Sequence, residues 1–268
     1  IPAGDDHSLA LKNDGTVIGW GGYNSFGQAT VPSDLTRVVS ICAGVTCSVA
    51  ISDTTAVATS VTSSRTLGDF DGDGKADLVW TNAQTGDRSM WFLSGNTLSG
   101  GATLGVVPVD WVVSATADFD GDGKADIFWT NTVTGDRAIW LMNGSTMRTN
   151  TFMGTVPTDW VISGTGDFDG DGKADLVWTN TVTGDRAMWL MNGNTVLGGG
   201  YLGTIPVEWV ISGVGDFDGD GKADLVWSNT ATGERSMWFQ NGSTTTSGAT
   251  LNTVAVAWVI SGVGDFNG

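Results

Sequence analysis

The chain has 268 residues, rich in glycine (40) and tryptophan (13), with two cysteines, 29 acidic against 12 basic residues and a formal charge of −17 at pH 7. That balance excludes nucleic acid as a partner, because no basic patch remains to neutralise phosphates, and it argues equally against anionic membranes. No apolar run reaches the roughly 18 to 20 residues of a spanning helix, and the composition points to an all-β chain of short strands and tight turns, long enough for one or two domains.

The first fifty residues form a unit of their own. Ala3-Gly4-Asp5-Asp6-His7-Ser8-Leu9-Ala10-Leu11 is echoed forty residues later by Ala43-Gly44-Val45-Thr46-Cys47-Ser48-Val49-Ala50-Ile51, with Asp14-Gly15-Thr16-Val17-Ile18-Gly19-Trp20-Gly21 and Gly27-Gln28 between them. Residues 1–52 resemble the short bacterial form of the RCC1 repeat, a propeller-blade family, with one unit complete and a second begun. The resemblance implies strands near 7–12, 16–20, 37–42 and 47–52. It does not carry over nucleotide exchange or chromatin binding, which need surfaces that one repeat cannot supply. It also gives His7, the only histidine, a strand-end hydrogen bond rather than a catalytic role. Cys42 and Cys47 flank a four-residue turn, so they read either as a disulfide or as two small buried residues. No charged-then-apolar segment opens the chain, which implies a leader already removed or a piece of something longer. Residues 53–66, rich in Ser, Thr and Ala, read as a linker or a degraded strand.

From there the chain repeats. Asp167-Phe168-Asp169-Gly170-Asp171-Gly172-Lys173-Ala174-Asp175 recurs at Asp69, Asp118 and Asp216 and begins again at Asp265, each start 49 residues after the last. Carboxylates at positions 1, 3, 5 and 9 of one short loop repel by roughly 4 kcal/mol for a pair at 4 Å and an effective dielectric of 20. A cation offsets that, and all-oxygen donors with a turn-permitting glycine at position 6 suit calcium. The expected ligands are Asp69, Asp71, Asp73 and Asp77; Asp118, Asp120, Asp122 and Asp126; Asp167, Asp169, Asp171 and Asp175; and Asp216, Asp218, Asp220 and Asp224. Lys75, Lys124, Lys173 and Lys222 are expected to contribute only their backbone carbonyls. Sixteen of the 29 acidic residues fall in these loops, so the rest of the chain is nearly neutral.

An EF-hand needs a glutamate at position 12 and flanking helices, whereas here that position holds Trp80, Trp129, Trp178 and Trp227 and the flanks are strand-like. The pattern D-x-D-G-D-G-x-x-D between strands, in four complete copies over about residues 66–268, resembles the FG-GAP and VCBS repeats. That resemblance implies calcium-binding β-propeller blades. In the third copy four strands are expected, at about 160–168, 175–180, 186–192 and 195–204, and 49 residues with four strands is the size of one blade. About five blades result if the ring closes within the chain.

Twelve tryptophans fall at three repeated positions, exemplified by Trp178, Trp189 and Trp209. Blade-to-blade packing is the expected role, with sugar-stacking platforms as the alternative. Asn-Thr and Asp-Arg pairs, such as Asn180-Thr181 and Asp185-Arg186, read as turn and strand-edge features. The segment Trp258 to Phe266 is expected as a leading strand that closes the ring on an early blade, or pairs with another copy or with further repeats beyond this sequence. Nothing in the chain forms a nucleophile elbow, a phosphate loop or a Ser-His-Asp set, so no enzyme is expected. The expected function is an extracellular or surface-displayed scaffold that binds protein or matrix partners, with glycan binding or self-assembly as alternatives.

Overall fold

The computed structural model describes residues 7–11, 17–21, 38–43, 48–52 and 68–263. By contacts the chain divides into two units, Ile1–Ala58 and Thr59–Gly268. In the first unit β1 (His7–Leu11) pairs antiparallel with β2 (Val17–Gly21), and β3 (Val38–Ala43) with β4 (Ser48–Ser52). These strands lie within a residue or so of the four expected spans. The linker reading of 53–66, the His7 side chain and the Cys42/Cys47 alternative lie outside the described residues.

The second unit is a series of antiparallel meanders with no helix among the described residues. The first sheet contains β5 (Leu78–Thr81), β6 (Asp87–Ser94) and β7 (Thr97–Val106). The second contains β8 (Trp111–Ala117), β9 (Asp126–Asn131), β10 (Asp136–Asn143) and β11 (Thr146–Thr155). Next come β12 (Trp160–Gly166), β13 (Asp175–Asn180), β14 (Asp185–Asn192) and β15 (Thr195–Thr204). The last sheet holds β16 (Trp209–Gly215), β17 (Asp224–Asn229), β18 (Arg235–Asn241) and β19 (Thr244–Thr250). The third sheet reproduces the expected strands almost residue for residue. The first sheet has three strands among the described residues, and the positions of a leading strand, in the stretch read as a linker or degraded strand, lie outside them. One expectation needs correction. Residues 258–263 carry no strand, because a strand exists only through its ladder and no described residue pairs with them.

Local chemistry explains the meander. In the second hairpin of the third sheet the Asn180 side-chain oxygen accepts the backbone N–H groups of Val182 and Thr183, both at 2.9 Å, an Asx turn. Gly184 completes it at φ +79°, where an added Cβ would stand 2.2 Å from the Ile205 carbonyl oxygen, so no other residue fits. Asn131 and Asn229 build the same turn in their sheets, which confirms the Asn-Thr pairs as turn devices. A register shift in the ladder of the first two strands, between Ile162 and Gly164, recurs in the second and fourth sheets.

The core lies between sheets rather than within them. Phe119, Phe128 and Ile139 of the second sheet pack with Ile162, Leu176, Trp178 and Met191 of the third. Equivalent clusters join the first sheet to the second and the third to the fourth. Trp129, Trp178 and Trp227 are at most 2% exposed, each tilted against the following tryptophan of its own sheet at 4.8 to 4.9 Å. Packing is therefore their role.

The Asp-Arg pairs divide in a way the sequence did not reveal. The aspartate stays at the surface, where Asp185 accepts hydrogen bonds from Thr183, Thr204 and Tyr201. The arginine turns inward. Arg88, Arg137 and Arg186 are 1% exposed, and each donates through Nη2 to the first carbonyl of the next sheet, on Trp111, Trp160 and Trp209 at 2.6 to 2.8 Å. Each guanidinium also lies 5.3 to 5.5 Å from a ring of that next sheet, Trp129, Trp178 or Trp227. These arginines staple consecutive sheets, and burial holds their pKa values below the usual guanidinium range.

Candidate metal centres

Each Asp-rich loop joins the first and second strands of its sheet, or, in the first sheet, leads into β5. In the third copy Asp167 organises the loop: Oδ1 accepts the N–H of Gly170 at 2.7 Å and of Asp171 at 3.1 Å, and Oδ2 that of Gly172 at 2.8 Å. Asp171 Oδ1 accepts the Lys173 N–H at 2.9 Å. Gly172 has the expected positive φ, at +88°, and Gly170 matches it at +80°. The position-4 glycine was therefore as necessary as the position-6 one.

Asp175, at position 9, is fully buried, and both its oxygens are engaged by backbone: Oδ2 by the Phe168 N–H at 2.9 Å and Oδ1 by the Met191 N–H at 2.8 Å. Asp77, Asp126 and Asp224 make the same two bonds in their copies. This residue ties the loop to the third strand of its sheet, a bracing role that the sequence did not suggest. Burial pushes the Asp126 and Asp175 carboxyls up to about 7, aided by neighbouring loop carboxylates and opposed by the amide bonds.

Three carboxylates converge in every loop, each offering an oxygen within 4.8 Å of the others. They are Asp69, Asp71 and Asp77 in the first copy, Asp167, Asp169 and Asp175 in the third, and Asp216, Asp218 and Asp224 in the fourth. In the second copy they are Asp118, Asp120 and Asp122. The remaining expected ligands, Asp73, Asp126, Asp171 and Asp220, lie outside those sets. Asp73 and Asp171 instead hold the ammonium groups of Lys75 and Lys173 at 2.6 and 2.8 Å, while Lys222 Nζ donates to Asn241 at 2.6 Å and Lys124 Nζ bonds Asn143. Arg148, unforeseen in the sequence, bridges Asp120 and Asp122.

The donor set fits a hard divalent cation. Three close carboxylate oxygens carry charge that a cation would relieve, and the clusters among the described residues consist of aspartate alone. Calcium takes six to eight oxygens, so loop carbonyls and water would complete the shell.

Every loop but the last is also clasped by the sheet that follows. Ala125, Ala174 and Ala223 donate their N–H groups to the carbonyls of Asp69, Asp118 and Asp167 at 2.6 to 2.8 Å, and Gly144, Gly193 and Gly242 donate to Phe70, Phe119 and Phe168 at 2.7 to 2.9 Å. The stems of Lys124, Lys173 and Lys222 lie over Gly72, Gly121 and Gly170 of the preceding loop. The first three candidate centres thus sit on the seams between sheets.

The FG-GAP-like repeat matches this chain three times, over residues 69–129, 118–178 and 167–227, which together span more than half of it. The chain belongs to the FG-GAP-like repeat family. An FG-GAP repeat is matched again at residues 209–246, and a regulator of chromosome condensation (RCC1) repeat at residues 2–28. No curated protein matches the chain. Among solved structures it is similar to the Photorhabdus luminescens Tc holotoxin pore, at 15% identity over 70% of this chain and 12% of that one, TM-score 0.34. It is also similar to the V. cholerae biofilm matrix protein Bap1, at 20% identity over 74% of this chain and 40% of that one, TM-score 0.33, and to a chain of a nidogen/laminin complex, at 12% identity over 64% and 92%, TM-score 0.21. The chain spans less than half the length of the first two.

Within an FG-GAP loop the roles are separable. Asp169 accepts the Asp171 N–H in the third loop, so Asp169→Ala should remove one candidate calcium site while leaving the sheet and the other loops folded. Calorimetric titration should count one ion fewer than in the parent, and an unchanged count would show that Asp169 is no ligand.

Proposed function

We propose that this chain is a calcium-stabilised extracellular scaffold, its FG-GAP sheets acting as blades of a propeller whose outer surface binds protein or matrix partners. The observation that carries this reading is the position of the carboxylate clusters. The first three lie on the seams between sheets, braced by backbone from both sides, where a cation would hold blades together. Weak oxygen-rich sites of this kind, with affinities of roughly 0.1 to 1 mM, fill only where calcium is millimolar, as outside cells. The outermost strands remain open to partners: β7, β11, β15 and β19 are largely exposed, with Leu98, Phe152, Leu197 and Tyr201 each more than half exposed.

Trp129, Trp178 and Trp227 are sealed between sheets and present no face to a sugar, while Trp80, Trp91 and Trp258 are exposed and keep the glycan reading as the alternative. The test is surface-plasmon binding of the calcium-loaded chain to purified matrix proteins, beside a glycan array. Saturable protein binding that is lost in EDTA and restored by calcium is the expected result. Sugar-competable binding without any protein partner would replace this reading with a lectin.

A further inference from the structure

We propose that Asn143, Asn192 and Asn241 are deamidation sites that the seams hold shut, each converting to aspartate or isoaspartate only while its own seam is open.

The hairpins β10–β11, β14–β15 and β18–β19 turn at Asn143-Gly144-Ser145, Asn192-Gly193-Asn194 and Asn241-Gly242-Ser243. Their glycines have φ of +62°, +60° and +59°, a conformation that other residues rarely adopt, so the turn requires glycine there. The asparagine before each glycine is exposed. In such a pair the glycine nitrogen reaches the asparagine side chain readily, because no Cβ stands in its way. Asn131, Asn180 and Asn229 are placed otherwise: each precedes a threonine, whose branched side chain crowds that path, and each has its side-chain oxygen engaged in an Asx turn.

What restrains the reaction lies on the preceding sheet. Gly144, Gly193 and Gly242 donate their N–H groups to the carbonyls of Phe70, Phe119 and Phe168 at 2.9, 2.7 and 2.7 Å. Gly193 and Gly242 are buried in this contact and Gly144 is half-buried. Two of the asparagine side chains are held as well, since the ammonium groups of Lys124 and Lys222 donate to the Oδ1 atoms of Asn143 and Asn241. Each seam therefore leaves the departing amide in solvent and ties up the nitrogen that must displace it.

When a seam opens, that nitrogen is freed. It attacks the side-chain Cγ, a C–N bond forms, and the side-chain amide leaves as ammonia, carrying the proton that the glycine nitrogen gives up. Water then opens the resulting five-membered succinimide at either carbonyl, which leaves aspartate or isoaspartate. In the isoaspartyl product the backbone runs through the side chain, one carbon longer, so the glycine N–H no longer falls where the phenylalanine carbonyl receives it. An opening that lasts long enough is made permanent.

Each of these seams carries its own arginine staple, which makes the proposal testable site by site. Arg88 holds the seam of Gly144, Arg137 that of Gly193 and Arg186 that of Gly242. The full chain is held warm at mildly alkaline pH, folded and in guanidinium chloride, and conversion at each asparagine is followed by peptide mass mapping and an isoaspartate assay. In the folded parent all three sites should convert roughly tenfold or more slowly than in the unfolded chain, because only the open fraction reacts. Arg88→Met, which keeps the volume and loses the bond, should speed Asn143 roughly threefold or more while Asn192 and Asn241 keep the parent rate, and Arg137→Met should single out Asn192. Folded parent sites that convert at the unfolded rate would overturn the proposal without recourse to any variant. So would an Arg88→Met chain of parent-like circular dichroism in which all three sites speed up equally, since global unfolding and not the seam would then be in control. The fraction carrying isoaspartate at position 143 should melt below the unconverted fraction, and equal melts would refute the permanent loosening.

Discussion

Excess EDTA should lower the melting temperature of this chain markedly, and calcium should restore it. With four sites of roughly 0.1 to 1 mM affinity, 1 mM calcium contributes about 0.4 to 1.4 kcal/mol at each, or about 2 to 6 kcal/mol together. That range is comparable with the whole net stability of an ordinary domain. For a unit of about 200 residues it corresponds to a shift on the order of 5 to 20 °C. The clasping of each loop by the next sheet makes the loss structural as well as electrostatic, because a loop that springs open under its own carboxylate repulsion withdraws the acceptors at the seam. Differential scanning calorimetry in calcium and in EDTA decides the matter. Identical melts would mean that the carboxylate clusters hold no ion that matters to the fold.

Replacing Arg137 by Ala should cost about 3 to 5 kcal/mol, the range of large-to-small changes in a packed interior. The side chain is 1% exposed, donates to the Trp160 carbonyl at 2.8 Å and lies 5.3 Å from the Trp178 ring. Truncation leaves a cavity between two sheets, an unpaired carbonyl and an uncovered indole at once. Lysine should not rescue it, because a compact ammonium reproduces neither the planar contact with the ring nor the fork of donors. Methionine should recover part of the loss by restoring volume without a buried charge. Arg148 is the control: its side chain is 42% exposed and paired only with Asp120 and Asp122, so Arg148→Ala should change stability by less than about 1 kcal/mol. Urea denaturation of the three Arg137 variants and this control gives the comparison. An Arg137→Ala midpoint equal to the parent's would rule out the staple.

The repeat and its strands were legible because the 49-residue period places turn glycines, Asp loops and β-branched runs in the same order each time. The third sheet was read nearly to its boundaries for that reason. What the sequence did not disclose depends on the neighbouring sheet. Arg186 beside Asp185 looks like a solvated turn pair, and nothing local says that Trp227, forty-one positions on, lies under its guanidinium. The aspartate of position 9 looks like one ligand among four, and its bonds to Phe168 and Met191 become visible only when the third strand folds back beside the loop. At Trp258 the converse holds: the strand pattern is present, but no described residue pairs with residues 258–263.

The clasps between loops all run one way. The carbonyls of Asp69, Asp118 and Asp167 receive, and the amides of Ala125, Ala174 and Ala223 give, so each loop is finished by its successor and finishes its predecessor. An array coupled only to nearest neighbours behaves as a one-dimensional chain of switches, and here the chain has a direction. Ala125, Ala174 and Ala223 lie within the Asp loops themselves, so loosening an inner loop disturbs the clasp it gives as well as the one it receives, and the effect reaches the sheets on both sides. The second and third sheets each stand between two of the described seams, so an ion lost from either of their loops is felt at two joints.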